Sequence, residues 1–510
     1  MPNVLLVYPA FPKSFWGMNY ALSFVGKKST MPPLGLLTIA GMFPPEGYEL
    51  RLVDMNVQPF TDDDLEWVDV VFTSTMMAQK KSLEQVITRC RSAGKSVVAG
   101  GPHPTTFHDE IKGVNYFLLG EVEESFPKFL SKESGENFQR SGVIYAEPRK
   151  PDLALTPLPR FDLVDFGQYD SMCLQFSRGC PFNCEFCDIT KLYGRDPRTK
   201  SNEQMQGEFQ LLYDLGWRGR LFLVDDNFIG RRDKATKLLW ALAEWQKERE
   251  NPFDLYTEAT VNLAKYPEML EAMIEANFCE VFVGIESPNP EALLTTKKGQ
   301  NVSKDNVHYL LDVVAAIQSK GLLVTAGFIL GLDSDPVNIF AAMKEFIHKS
   351  GIPVAMVGLL NAVRGTDLYK RLEVAGRLLS ETSGNNLDAI LNFVPEIDKA
   401  VLLDGYKEVL SAVYDPGLRN YFKRCLLMFD RMGEHRRSRV RIGKTELGAL
   451  FKSLQKQIFS RQGIAYVQFL VAVIMRYPRM LPDAVRLAII GYHLEKISRE
   501  IFTPKELASE

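Results

Sequence analysis

Along the first 150 residues, short apolar runs alternate with stretches of helical periodicity. Residues 4–8, 49–53, 68–73, 96–99 and 116–119 predict strands, and 31–42, 82–93 and 124–130 predict helices between or after them. Near-continuous apolar strands joined through helices imply a doubly wound parallel sheet covered on both faces. Ligands bind at the carboxyl ends of such strands. Small and polar residues gather there: Pro9, Asp54 to Asn56, Thr73 to Met76, Gly100 to Pro104 and Gly120 to Glu123. A Pro-rich linker over 149–168 separates this first domain, 1–148, from six further β-then-α units. Their strands at 172–176, 220–224, 254–260, 280–285, 322–329 and 354–360 alternate with helices at 202–215, 232–249, 266–276, 303–319 and 336–349. The fold class is therefore α/β, with a partial parallel (β/α)6 barrel across 169–370 whose site lies where the strands end. From residue 371 strand patterning stops. Helical periodicity at 400–412, 417–431, 444–458, 463–476 and 480–498 predicts a helical C-terminal domain, 371–510, capping the barrel mouth.

Composition adds little to that division but excludes several function classes. The 510 residues are 46% hydrophobic and 24% charged, the balance of a globular protein with ample core. A net charge of −3 argues against broad nucleic-acid binding. No basic, cleavable leader precedes the first strand, and the seven cysteines are too few and too odd for a disulfide scaffold, so a reducing, cytoplasmic setting is expected. The apolar run 463–475 is short for a bilayer span. It predicts a buried bundle helix, although with the basic run 435–441 it would also suit peripheral membrane contact. Residues 12–35, with Phe15 and Trp16, form a long excursion after the first strand that either works in the site or caps the sheet.

The chemistry is concentrated in Ser177-Arg-Gly-Cys-Pro-Phe-Asn-Cys-Glu-Phe-Cys-Asp188. Cys180, Cys184 and Cys187 are spaced C-x3-C-x2-C, which suits a soft metal centre. A zinc site would need a fourth ligand, yet no histidine lies between His108 and His308. Three thiolates on a four-iron cluster would leave one iron open to another ligand. The stretch resembles the signature of the radical S-adenosylmethionine (SAM) enzymes, with Phe186 in the aromatic position of their motif. That resemblance implies a [4Fe–4S] cluster on the three cysteines and SAM chelated at the open iron. It also implies a 5′-deoxyadenosyl radical formed with an electron from a donor such as a flavodoxin or ferredoxin. Carboxylates at successive strand ends then become candidate SAM contacts. Asp225 and Asp226 would meet the amino group, although alternation turns only one of them inward. Glu258 lies on the same strand face as Tyr256 and Thr260. Glu286 and Ser287, in Gly-Ile-Glu-Ser, match the family's ribose-binding element. Arg364 is a candidate anion contact and the polar run 193–201 a candidate contact for substrate or a second cofactor, while Cys173 reads as core by type.

Gly100 and Gly101, followed by Gly120-Glu121-Val-Glu123, resemble the cobalamin-binding domain that precedes many radical-SAM barrels. The resemblance assigns Ser74, Thr75, Met76, Gly100 and Gly101, with Glu121 nearby, to cobalamin. Cobalamin-dependent mutases carry D-x-H-x-x-G with a cobalt-binding histidine; here Asn56 stands in its place, so cobalt has no histidine ligand at that position. Tyr8-Pro9, Pro33-Leu-Gly35 and the Asp54-x-Asn56 loop resemble the subgroup that includes hopanoid methylases. The function implied is methyl transfer from methylcobalamin to an unactivated carbon of a small molecule, a lipid or secondary metabolite. The alternative is ring formation, rearrangement or transfer of another SAM-derived group. A tRNA methylthiotransferase would need a second cysteine triad, and only Cys90 lies in the first domain. An iron–sulfur sensor would leave the strand-end carboxylates unexplained.

Overall fold

The computed structural model describes all residues except 1, 135–137, 139, 307, 386–387, 434–442 and 503–510. Its first sheet comprises β1 (Asn3–Tyr8), β2 (Glu49–Asp54), β3 (Val70–Ser74), β4 (Ser96–Gly100), β5 (Tyr116–Leu119) and β6 (Val143–Ala146). The strands run parallel in the order β2-β1-β3-β4-β5-β6. Alternation along β1 explains the double winding. Leu5 and Val7 enter a core with Leu83, Val86 and Cys90, whereas Val4 and Leu6 enter another with Leu36, Ala40 and Phe126. The edge strand β6 was absent from the periodicity, because its four residues alternate between half-buried and exposed. Residues 149–168 are no loose linker: they form three 3-10 turns, and Leu153 and Phe161 are buried.

The second sheet has β7 (Ser171–Leu174), β8 (Gly219–Leu223), β9 (Phe253–Ala259), β10 (Phe278–Glu286), β11 (Leu323–Leu330) and β12 (Ala355–Leu359). Each strand pairs in parallel with the next, giving the expected six-stranded partial barrel. Leu221, Leu255, Val281, Val324 and Val357 share one apolar core with the surrounding helices.

The excursion after β1 does not cap the first sheet. It contains helix α1 (Asn19–Val25) and crosses to the C-terminal bundle. That bundle consists of α3 (Lys399–Val413), α4 (Arg419–Met432), α5 (Lys444–Ile458), α6 (Gly463–Arg476) and α7 (Leu481–Ile501), after a shorter helix α2 (Asp367–Val374). His493 of α7 fastens the excursion: its Nδ1 accepts from the Tyr20 backbone N–H at 3.4 Å, and its Nε2 meets the Phe15 carbonyl at 3.2 Å. Burial holds His493 near a pKa of about 4, so the ring is neutral.

The bundle does not cap the barrel mouth. Arg486 of α7 pairs with Glu280 at 2.7 Å, near the amino end of β10, and α5 and α7 face Arg220, Asp254 and Glu280 across a cavity. The bundle thus covers the amino ends of the strands. At the carboxyl ends, Arg371 of α2 pairs with Glu185 at 2.6 Å and with Asp333 at 2.6 Å, while Arg377 holds Asp333 at 2.8 Å. The basic run 435–441 and residues 386–387 lie outside the described residues.

Candidate functional site

The site is built from the cysteine loop outward. β7 leads into the loop, and a short antiparallel pairing of Ser177–Arg178 with Arg198–Thr199 closes its base. Cys180, Cys184 and Cys187 are only partly buried as residues, and all are free thiols. Burial pushes the Cys187 thiol up, and nearby Asp188, Cys184 and Cys180 add to the push. Among the described residues no three His, Cys, Asp or Glu side chains close around a single metal ion. On a four-iron cluster each thiolate would bind a different iron, so the three need not meet at one ion. Amide donors aim at two of the sulfurs: Asn227 at Cys180 (3.9 Å) and Gln300 at Cys184 (3.7 Å). Lys298 is buried with Cys184 and Cys187 among its charged neighbours, and Phe186 lies 5.9 Å below its ammonium. A cation and two N–H donors around three thiolates suit a negatively charged cluster.

Asp225 and Asp226 both turn toward this loop. Asp225 accepts from the backbone N–H groups of Phe176 and Ser177 and from the Ser177 hydroxyl, so its carboxylate fixes the approach to Cys180. Asp226 accepts from the Gly179 N–H at 2.9 Å. Burial raises them to about 7 and about 6 respectively. Glu258, on β9, lies deeper in the barrel and lines a cavity of about 510 Å³. Burial raises it to about 7, and its charged neighbours Asp226, Asp225 and Glu286 are all carboxylates.

At the end of β10 the chain bends sharply. Glu286 has a left-handed backbone (φ 65°), and the β10–β11 register shifts there. Its carboxylate accepts from Lys298. Gly284 leaves room for this pair: a Cβ there would stand 2.4 Å from Glu286 Oε1 and 2.7 Å from Lys298 Nζ and would push both side-chain ends aside. Asn301 clamps the bend through the Gly284 and Ile285 carbonyls at 2.9 and 3.0 Å. Ser287 accepts from the Asn289 N–H at 3.1 Å.

On the facing domain, Gly101 has φ 93°, and a Cβ there would lie 2.7 Å from the Thr75 nitrogen. The β3 and β4 loops therefore touch backbone to backbone. Among the described residues, the Thr75 hydroxyl and both ring nitrogens of His103 are buried without a hydrogen-bond partner, while Met76 stands 51% exposed. Orphaned polar groups beside a glycine cradle fit a polar ligand such as the nucleotide tail of cobalamin. Asn56 is otherwise engaged: its Oδ1 accepts from the Phe11 N–H at 2.9 Å and its amide donates to Asp54 at 2.7 Å.

Glu121 ties the two domains together. It accepts from Arg178 at 2.9 Å and from Arg198 at 2.7 Å, and Arg178 also donates to Glu123 at 2.7 Å. Arg364, read as a candidate anion contact, bridges the same boundary to Glu110 at 3.0 Å. Cys173 is core, its thiol pushed up to about 12 by burial. Sequence reasoning passed over Arg178, Lys298, Asn227 and Gln300. Arg178, two residues before Cys180, was the one with a visible signal.

Because Glu258 keeps its proton up to about 7 when folded and only to about 4.5 when unfolded, the folded state binds more protons between those values. Stability contributed by this group therefore falls as pH rises through that window. In cofactor-free protein, Glu258→Gln is expected to make this decline shallower and to raise stability at pH 8 by up to about 3 kcal/mol. Urea melts across the range measure it, and an unchanged slope would refute the assignment.

Three family models match in chain order: a B12 binding domain over residues 27–130, the radical SAM superfamily over 174–347, and a domain of unknown function (DUF4070) over 366–506. An uncharacterized methyltransferase, sll1242, from Synechocystis sp. is 42% identical over 83% of this chain and 78% of its own length. The hopanoid C-2 methylase of Rhodopseudomonas palustris is 36% identical over 81% and 77% respectively. The solved structure of OxsB, a cobalamin-dependent SAM radical enzyme with aqua-cobalamin bound, superposes over 98% of this chain and 80% of that one, with TM-score 0.63 and 14% identity. Domain order, cysteine loop and relatives agree: the chain belongs to the cobalamin-binding radical SAM enzymes, whose cofactors are SAM, a [4Fe–4S] cluster and cobalamin.

Proposed function

We propose that this enzyme methylates an unactivated carbon of a small, largely apolar molecule. One observation carries the reading: the carboxyl-end loops of both sheets meet, with Arg178 of the cysteine loop held between Glu121 and Glu123 of the first domain. When bound, the cluster with SAM supplies a hydrogen-abstracting radical, and cobalamin supplies the methyl group. Cys180, Cys184 and Cys187 would hold the cluster, with Phe186 and Lys298 beside it. Asp226 and Glu258 offer carboxylates toward the cationic end of SAM. Glu286 and Ser287 stand at the strand end where the family binds ribose. Ser74, Thr75, Met76, Gly100 and Gly101 would cradle cobalamin, whereas Asp225 and Glu121 act through the loops they fix. Relatives named as methyltransferases, one of them acting on hopanoids, support methyl transfer over rearrangement.

The test is anaerobic reconstitution with iron, sulfide and cobalamin, followed by turnover with methyl-labelled SAM, a strong reductant and a hopanoid substrate pool. Formation of both 5′-deoxyadenosine and S-adenosylhomocysteine, with label in a carbon–methyl product, is expected. Cobalamin-loaded protein that makes 5′-deoxyadenosine alone would overturn methyl transfer.

A further inference from the structure

Exposed apolar side chains recur along two consecutive helices of the bundle, α5 and α6. Apart from exposed Gln468, α6 is apolar around its circumference: Tyr466, Phe469 and Val473 face inward, while Ile464, Val467, Val471, Ile474 and Met475 stand in solvent. The outward set recurs every three or four residues and so forms one stripe. Ile464 is 72% exposed and Met475 78%. α5 extends the stripe with Leu447 and Phe451, and Phe459 follows it at 90% exposure. A helix apolar on all sides is normally buried or lies against lipid. No charged residue occurs between Arg461 and Arg476, and exposed Arg461, Arg476 and Arg479 mark the ends of α6.

The stripe is continuous with the interior. Leu447 is 58% exposed and also lines the 510 Å³ cavity, which runs between α5 and α7, past Trp16 and Phe282, to Glu258. A cavity of that volume holds a molecule of ordinary ligand size. Leu450, Leu481, Val485 and Ile489 supply apolar surface to its bundle wall, beside Glu446, Asp483 and Arg486.

We infer that the α5–α6 face docks on an anionic lipid bilayer. Apolar side chains enter the acyl boundary, and the arginines at the helix ends meet lipid phosphates. A second copy of the chain suits this face less well, because an isologous pairing of two α6 helices brings arginine-bearing ends of both copies together. A lipid surface attracts both ends at once. Docking stands on the face alone. The further consequence, that substrate passes from the bilayer through the cavity toward Glu258, rests on the methylation reading above.

The experiment is co-sedimentation of the cofactor-loaded full chain with phosphatidylcholine vesicles, with and without phosphatidylglycerol, in the absence of turnover. Binding to the anionic vesicles, weakening as salt rises, is expected. The Val471→Asp, Ile474→Asp double variant should lose about tenfold or more in partitioning. Val374→Asp, at a 90% exposed position on α2, should bind like the parent. Circular dichroism and melting temperature check that each variant is folded. No binding to either vesicle, or equal binding by parent and double variant, would overturn the inference. So would a dimer that the double variant dissociates in a protein that leaves vesicles unbound. Methyl transfer can fail without changing these readouts, so the two claims fail separately.

Discussion

Cys184→Ala is expected to abolish the iron–sulfur absorption of the anaerobically reconstituted protein and, with it, essentially all reductive cleavage of SAM. Each of the three thiolates is expected on a different iron, so losing one leaves a cluster with two protein ligands and a second open iron. The Gln300 amide that aims at Cys184 would then face an empty position and cannot replace a thiolate. Cys173→Ala is the matched control. That thiol is buried in β7 and donates to the Pro32 carbonyl at 3.4 Å, away from the loop. It should cost about 1–2 kcal/mol of packing and leave the absorption intact. Iron–sulfur absorption surviving in Cys184→Ala would sink the cluster assignment, as would a reconstituted parent that holds zinc alone.

Arg178→Ala is the second large effect, and it acts on stability. Its side chain is 13% exposed, and those of Glu121 and Glu123 are 3% and 2%. Removing the guanidinium leaves Glu123 buried with, among the described residues, the Thr156 hydroxyl donating to it at 3.0 Å, and leaves Glu121 to Arg198. Breaking a buried ion pair from one side costs about 3–5 kcal/mol, because the surviving charge stays desolvated. Adding Glu123→Gln should recover part of that loss, which a double-mutant cycle would read as coupling. The lost clasp joins the loops of two sheets, so labelled methyl transfer should fall further than 5′-deoxyadenosine formation. A single variant within 1 kcal/mol of the parent, by the scale of ordinary surface changes, would show that the clasp contributes little.

Much of this arrangement was readable before any coordinate. β1, β3, β4 and β5 are nearly uninterrupted apolar runs because both faces of their sheet are covered, and that pattern leaves few alternatives. The cysteine spacing needed no fold to be noticed. Direction was the illegible part. Asp225 and Asp226 are visible as two carboxylates at a strand end, yet which groups they face depends on the path of 176–179. The Lys298–Glu286 pair joins residues twelve apart through a left-handed bend at Glu286 that no periodicity announces. The bundle was placed at the wrong end of the barrel for a related reason. Helical patterning shows which faces are apolar, but the strand end they cover is set by long-range contacts such as Arg486 with Glu280.

The pairing of Phe15 and Tyr20 with His493 has a consequence for how the molecule is made. The excursion leaves the first sheet after β1, but its partner is synthesised 478 residues later than Phe15. At ordinary translation rates that interval is about 20–100 s, long enough for the first domain to fold as a unit. During it α1 has no bundle to lie against, so Ala21, Leu22 and Phe24, all buried at the end, wait in contact with water or a chaperone. A nascent chain halted before α7 would keep its first sheet and its cysteine loop but lack the wall of the cavity, so its metal chemistry could assemble ahead of any chamber to contain it.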